Sequence, residues 1–110
     1  MSIMTKFIVV LVTVTSKAEA EKISKALLKK KLAACVNIVS GITSFFNWKG
    51  KIEKSNELLL VIKTRESLFK KLEKEVKANH SYTVPEIIAL PILEGSKKYM
   101  GWLNSELSKK

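Results

Sequence analysis

The chain has 110 residues and carries twenty lysine or arginine side chains against ten acidic ones, a formal net charge of +10. This length makes a single domain, residues 1–110, that buries roughly two-thirds of the surface its unfolded form exposes and needs no staple. A lone cysteine, Cys35, excludes an intrachain disulfide, a CxxC motif and a four-cysteine zinc site; it suits a reducing compartment, with a cytoplasmic location expected.

Nineteen of the basic residues are lysine, Arg65 is the only arginine, and aspartate is absent. Arginine is the usual choice for bidentate contacts to phosphate and guanine, so the charge reads as a solvated lysine surface and no nucleic-acid partner is expected. The apolar run from Phe7 to Val12 is too short to cross a bilayer, and Met1 to Lys6 lacks the plan of a secretory signal. A soluble chain starting near Met1, with no membrane partner, is the expectation.

Phe7-Ile8-Val9-Val10-Leu11-Val12 has the pattern of a central strand covered on both faces. Ser16 and Glu19 fit a capping box, each side chain satisfying a backbone N–H of the first turn. The helix after them buries Ala20, Ile23, Ala26 and Leu27 and turns Lys22, Lys25 and Lys29 to water. Ala33 to Phe46 reads as a strand with Val36, Ile38, Ile42 and Phe46 on one face and Asn37 and Thr43 on the other, bulged or bent at Ser40-Gly41. Asn47-Trp48-Lys49-Gly50 is a turn, and Lys51 to Lys63 returns as the partner strand. Thr64 is placed to cap a second helix with apolar Leu68, Phe69, Leu72 and Val76. A short strand follows Pro85, and Gly95-Ser96 opens a third helix carrying Tyr99, Trp102, Leu103 and Leu107. The order βαββαβ defines an α+β, ferredoxin-like sandwich: an antiparallel sheet with two helices on one face, an extended central hairpin and an extra C-terminal helix.

Each hairpin arm runs about thirteen residues, roughly 40 Å at about 3.3 Å per residue, whereas a 100-residue globule has a radius of gyration of about 13 Å. The arm therefore projects, with Phe45, Phe46 and Trp48 at its tip. Such rings form an exposed apolar patch unless another chain covers them, so an oligomer built by hairpin exchange or edge pairing is expected.

The most informative stretch is His80-Ser81-Tyr82-Thr83-Val84-Pro85-Glu86. Pro85 fixes its own φ and keeps Val84 extended, which presents Glu86 at a defined point just before the strand that Pro91 confines to an edge or terminal position. His80, Tyr82 and Glu86 make a compact polar cluster where loop meets sheet, a candidate ligand site. Each has two readings. His80 suits a metal or acid–base role, or closes the loop by hydrogen bonding. Tyr82 and Glu86 line a subunit cleft or anchor the loop to the sheet. Lys63 is placed for an anionic ligand, or snorkels from a strand end. Cys35 suits Cu(I), supplied once per subunit, or is a small buried strand residue. Trp48 and Trp102 are read as packing residues.

No enzyme is expected, because no Ser/His/Asp set, Cys/His set or carboxylate pair is legible. Acylphosphatases of this fold class need an arginine in a phosphate-cradling loop, and Arg65 falls at the predicted start of a helix instead. RNA-binding domains of the same plan need an aromatic-rich strand motif that is missing, and soft-metal chaperones need a CxxC loop.

Leu32-Ala33-Ala34-Cys35-Val36-Asn37-Ile38, Ser44-Phe45-Phe46-Asn47-Trp48-Lys49-Gly50-Lys51-Ile52-Glu53 and the His80–Glu86 segment, in this order and spacing, resemble the CutA family of divalent-cation tolerance proteins. The resemblance runs from Thr13 to Trp102-Leu103. It implies a ferredoxin-like fold assembled as a homotrimer, a non-enzymatic part in the response to metal ions, and a divalent cation or copper as the cofactor some members bind. The architecture is also similar to trimeric PII signalling proteins, which bind small ligands in clefts between subunits; a PII-like signalling or scaffold trimer with no metal role is the alternative it allows. In copper-binding members the ligands include a cysteine late in the first strand and paired histidines ahead of the Tyr-x-x-Pro-Glu segment. These positions fall here at Val12, and at Asn79 and His80, so only His80 is retained.

Overall fold

The computed structural model describes residues 6–109. Four strands form one antiparallel sheet: β1 (Phe7–Val14), β2 (Cys35–Trp48), β3 (Lys51–Arg65) and β4 (Ile87–Pro91), in the order β2-β3-β1-β4. Helix α1 (Lys17–Lys29) joins β1 to β2, a 3₁₀ turn (Glu66–Leu68) and α2 (Phe69–Asn79) follow β3, and α3 (Lys97–Ser105) closes the chain. This is the ferredoxin-like plan with an added C-terminal helix.

Alternation in β1 and β3 sends Val10, Val12, Leu60 and Ile62 to the helix side, where they are fully buried with Ile23 and Leu27 of α1 and Leu72 and Val76 of α2. The opposite face has no such cover. Val9 and Leu11 are half-buried there, and Ile88 and Leu90 of the edge strand are exposed. The β1 run therefore has the composition of a strand covered on both faces, while its own chain fully covers one.

The hairpin turn has φ of 51° at Lys49 and 79° at Gly50, the doubly positive geometry that matches the twist of paired strands. Between Val39 and Ile42, β2 advances three residues while β3 advances two, so one extra residue bulges at Ser40-Gly41, where Gly41 takes φ +80°. The bulge reverses the alternation. Val36 and Ile38 pair with Ile62 and Leu60 on the helix side, whereas Ile42 and Phe46 pair with Glu57 and Glu53 on the opposite side. Sequence alternation alone had placed all four β2 residues on one face.

Two local expectations give way to long-range bonds. Thr64 is not a helix cap: it lies inside β3, fully buried, and its hydroxyl donates to the Leu32 carbonyl at 2.7 Å. A β-branched threonine fits a strand, and the carbonyl of the α1–β2 connection offers a partner that a cap position lacks. Ser16 does cap α1, accepting from the Glu19 N–H at 3.1 Å. Glu19 does not reciprocate; its carboxylate accepts from the Ser81 N–H at 2.7 Å and the Ser81 hydroxyl at 3.0 Å. On α1, Ser24 joins the buried stripe and Ala26 is only half-buried. Leu103 of α3 enters the core, and so does Leu107, which lies beyond the helix end at Ser105 and not on it as expected; Tyr99 and Trp102 of α3 are exposed.

Beyond Leu58, its last partner on β1, the hairpin continues without support from the rest of the sheet. The molecule consequently measures 50 × 26 × 23 Å. At its tip Phe45 is 67% exposed and Trp48 52%, so the rings do not fold back onto the body and Trp48 is not a packing residue of its own chain.

Candidate functional site

Where β1 stops and β3 runs on, the sheet leaves a corner, and the loop from α2 to β4 fills it. His80 anchors that loop. Its ring is fully buried, with Nε2 at 2.8 Å from the Thr13 carbonyl and Nδ1 at 3.0 Å from the Tyr82 N–H. A carbonyl only accepts and an N–H only donates, so these partners assign the neutral ring with its proton on Nε2. Glu19 approaches Nδ1 at 3.3 Å while holding Ser81. Helix α1, strand β1 and the loop are thereby tied at one point, which aims the rest of the segment over the base of the hairpin.

There Tyr82 meets a residue that sequence reading missed. Glu57 is 7% exposed; its Oε1 accepts from the Ser44 hydroxyl at 2.6 Å and its Oε2 from the Tyr82 hydroxyl at 3.0 Å. Burial holds the Tyr82 phenol above its ordinary range, opposed by a bond to Ser55 and reinforced by the neighbouring Glu57 charge. The phenol thus stays protonated at neutral pH and serves as a donor. The signal for Glu57 was weak: an acid heading the Leu58–Ile62 run is unusual, but only the Gly41 bulge puts Ser44 and Glu57 on the same face.

A cleft of about 770 Å³ opens beside this network. Glu53, Glu57 and Glu86 line it together with Phe45, Phe46, Trp48 and Tyr82. Tyr82 and Glu86 therefore do meet in one concavity, with His80 behind the loop as its fastening. A larger groove of about 960 Å³ runs between β4, Phe69 and Met100, but it is mainly apolar and holds none of the candidate residues, so the smaller cleft is the better match to the chemistry.

Lys63 and Cys35 lie elsewhere. They face each other across β2 and β3, with Lys63 Nζ 3.7 Å from Cys35 Sγ and bonded also to Asn37 Oδ1. Burial and the Cys35 sulfur raise the Tyr99 phenol above its usual range, which brings α3 to the same cluster. Lys63 pairs with Val9 on β1, four residues from Thr13, or about 13 Å along the strand from the His80 contact. Arg65 ends β3, and its guanidinium bonds to Ser67, Asn104 and the Ser108 carbonyl, fastening α3 to the sheet.

The copper set implied by resemblance does not fit within one chain. Val12 is a fully buried core side chain, the Asn79 amide donates to Glu75, and both His80 nitrogens are engaged. Among the described residues no group of three or more His, Cys, Asp or Glu side chains could hold a metal ion. No helix among them is long and apolar enough to cross a membrane.

Fold and cleft together define a ferredoxin-like α+β domain with a concavity at the base of a projecting hairpin. Residues 8–106 match the family model described as CutA1 divalent ion tolerance protein, and the chain belongs to that family. It is 55% identical over 95 residues to the divalent-cation tolerance protein CutA of Thermus thermophilus, covering 86% of this chain and 92% of that one. It is 52% identical over 98 residues to the chloroplastic protein CutA of Arabidopsis thaliana, covering 89% of this chain but 54% of the plant protein. The crystal structure of CutA1 from Oryza sativa superposes with a TM-score of 0.93 at 50% identity, covering 96% of each chain.

Proposed function

We propose that this chain is a non-enzymatic homotrimer that contributes to divalent-cation tolerance by binding a small ligand in the cleft between its 80–86 loop and the base of its hairpin. The observation that carries the ligand reading is the buried Glu57–Tyr82–Ser44 network, which opens onto a concavity of about 770 Å³, within the usual size range of small-molecule sites.

Support for assembly comes from the uncovered surface. Ile88 and Leu90 on the β4 edge, Val39 on β2, and Phe45, Trp48 and Ile52 on the hairpin are large apolar side chains left in water. A free edge strand and an apolar arm of this kind invite another copy, and edge pairing satisfies the backbone as well as the side chains. The family also includes a plant relative named as chloroplastic, so the cytoplasmic location remains part of the proposal.

Between a metal and an organic ligand, the PII-like reading gains from the lack of three converging metal-ligating groups among the described residues. His80 and Cys35 serve as metal ligands in this proposal only if assembly brings further groups to them. Tyr82 and Glu86 are the ligand contacts; Lys63 is a separate anionic-ligand candidate beside Cys35. Native mass spectrometry of untagged protein tests the whole reading. A trimer carrying three equivalents of one extra mass is the expected result. A folded monomer at every concentration overturns the assembly, and a trimer in which neither metals nor small molecules alter hydrogen exchange over residues 80–86 overturns the ligand site.

A further inference from the structure

We infer that the outer face of helices α1 and α2 is a docking surface for a linear inorganic polyanion, a polyphosphate chain held by Lys22, Lys25, Lys29, Lys70 and Lys74. None of these lysines lines the cleft, and neither site depends on the other.

Both helices bury one stripe against the sheet: Ala20, Ile23, Ser24 and Leu27 on α1, and Leu72 and Val76 on α2. The opposite stripes are lysine. Lys22, Lys25 and Lys29 fall within about 60° of arc on α1, and Lys70, Lys74 and Lys77 do so on α2. All six are exposed. The helices lie side by side, joined by the Lys30–Glu75 bridge at 2.8 Å, and axes in such contact are about 8–10 Å apart. The two stripes therefore form one plate of like charge. Acids do not neutralise it. Glu19 holds Ser81, Glu75 holds Lys30, and Glu73 reaches Lys77 at 3.3 Å. Glu21 stands one turn before Lys25, yet among the described residues Lys22, Lys25, Lys29, Lys70 and Lys74 make no salt bridge. Lys25 with Lys29, and Lys70 with Lys74, are i,i+4 pairs of like charge, mildly destabilising on their own. An anion laid across them reverses the sign.

The side chains select the partner. Lysine is a compact point charge without the bidentate fork of arginine, which suits closely spaced phosphates more than a base edge. Neither stripe carries an aromatic ring on which a nucleobase could stack. Neither carries a large apolar side chain to enter a lipid layer: Leu28 is 42% exposed, but it follows Ser24 by one turn and so sits at the rim of the buried stripe. Polyphosphate matches what remains, continuous negative charge with no base and no tail, and the net charge of +10 draws it in at long range. This face also stays open on assembly. The apolar side chains that invite another copy, Ile88, Leu90, Phe45 and Trp48 among them, lie on the other face of the sheet and on the hairpin. Phosphate oxygens are hard ligands for divalent cations. A docked chain would thus carry such ions to a member of a divalent ion tolerance family without calling on a cage built by the protein.

The test titrates the assembled protein with inorganic polyphosphate by calorimetry over a range of salt. Binding that weakens steeply as salt rises is expected, since each phosphate met by a lysine releases a counterion. Lys25→Gln, Lys29→Gln and Lys74→Gln together should weaken it about tenfold, the sum of three exposed ion pairs. A control with the same loss of charge, Lys97→Gln, Lys98→Gln and Lys109→Gln, should bind within about twofold of the parent, because salt screens charges lying beyond the contact. All six positions are exposed. In the parent protein, polyphosphate should also slow acetylation of Lys25, Lys29 and Lys74 more than that of Lys97 and Lys98. Polyphosphate that fails to bind, that protects the two sets of lysines equally, or that loses as much affinity in the control as in the face variant overturns the inference. Single-stranded RNA or phosphatidylserine vesicles that bind more tightly than polyphosphate at equal phosphate concentration overturn it in favour of those partners.

Discussion

Replacing Tyr82 by phenylalanine removes one hydroxyl and leaves every carbon in place, which isolates the bond to Glu57. That bond is 3.0 Å long and ends on a carboxylate 7% exposed, so solvent screens it little. Hydrogen bonds to charged groups contribute roughly 1.5–3 kcal/mol, and because the cleft lets water reach part of the freed oxygen, a loss of about 2 kcal/mol is expected. Glu57→Gln should cost a comparable amount, and the double variant less than the sum, with a coupling of about 1–2 kcal/mol. Urea midpoints at one fixed protein concentration measure this, the fixed concentration being essential for an assembling chain. Additivity of the two changes to within about 0.5 kcal/mol would refute the link between loop and hairpin. The alkaline limb gives an independent reading. The Tyr82 phenol is raised above 10.0, chiefly by burial, so the stabilisation is intact below the unfolded value and is lost as pH rises through the folded one. Tyr82→Phe should flatten that decline without abolishing it, because Tyr99 is raised as well.

Thr64→Val keeps shape but strands the Leu32 carbonyl, which Thr64 reaches at 2.7 Å inside the core; a loss of about 1–3 kcal/mol is expected, and Thr64→Ser should retain most of the stability in the same urea series. On the acid side, the hydrogen bond from Lys30 is the largest cause that lowers Glu75 below 4.5. Its contribution is present above the unfolded value and disappears as pH falls through the lower folded one. Glu75→Gln should therefore flatten stability against pH in that window, and an unchanged acid slope would remove the Lys30–Glu75 bridge from the account of how α1 and α2 are joined.

Much of the scaffold was legible because its causes are local. The β-branched run of β1, the Ser16 cap, the positive-φ turn at Lys49-Gly50 and the bulge at Gly41 each follow from backbone sterics and side-chain period within a few residues. The candidate site was legible in outline, since Pro85 and the polar residues around it announce an ordered loop. What the loop touches was not. Thr13 lies 67 residues from His80, and Ser81 lies 62 from Glu19, distances over which no periodicity carries information.

By itself, then, the sequence determined the element order, the projecting hairpin and the segment that closes on the sheet. Only tertiary structure decided that Thr64 turns inward to Leu32, that Glu19 leaves its own helix for Ser81, and that Glu57 becomes the buried centre of the cleft. The reason is physical. A polar group takes whichever partner packing brings within about 3 Å, and a single bulged residue in β2 reverses which side chains are brought there.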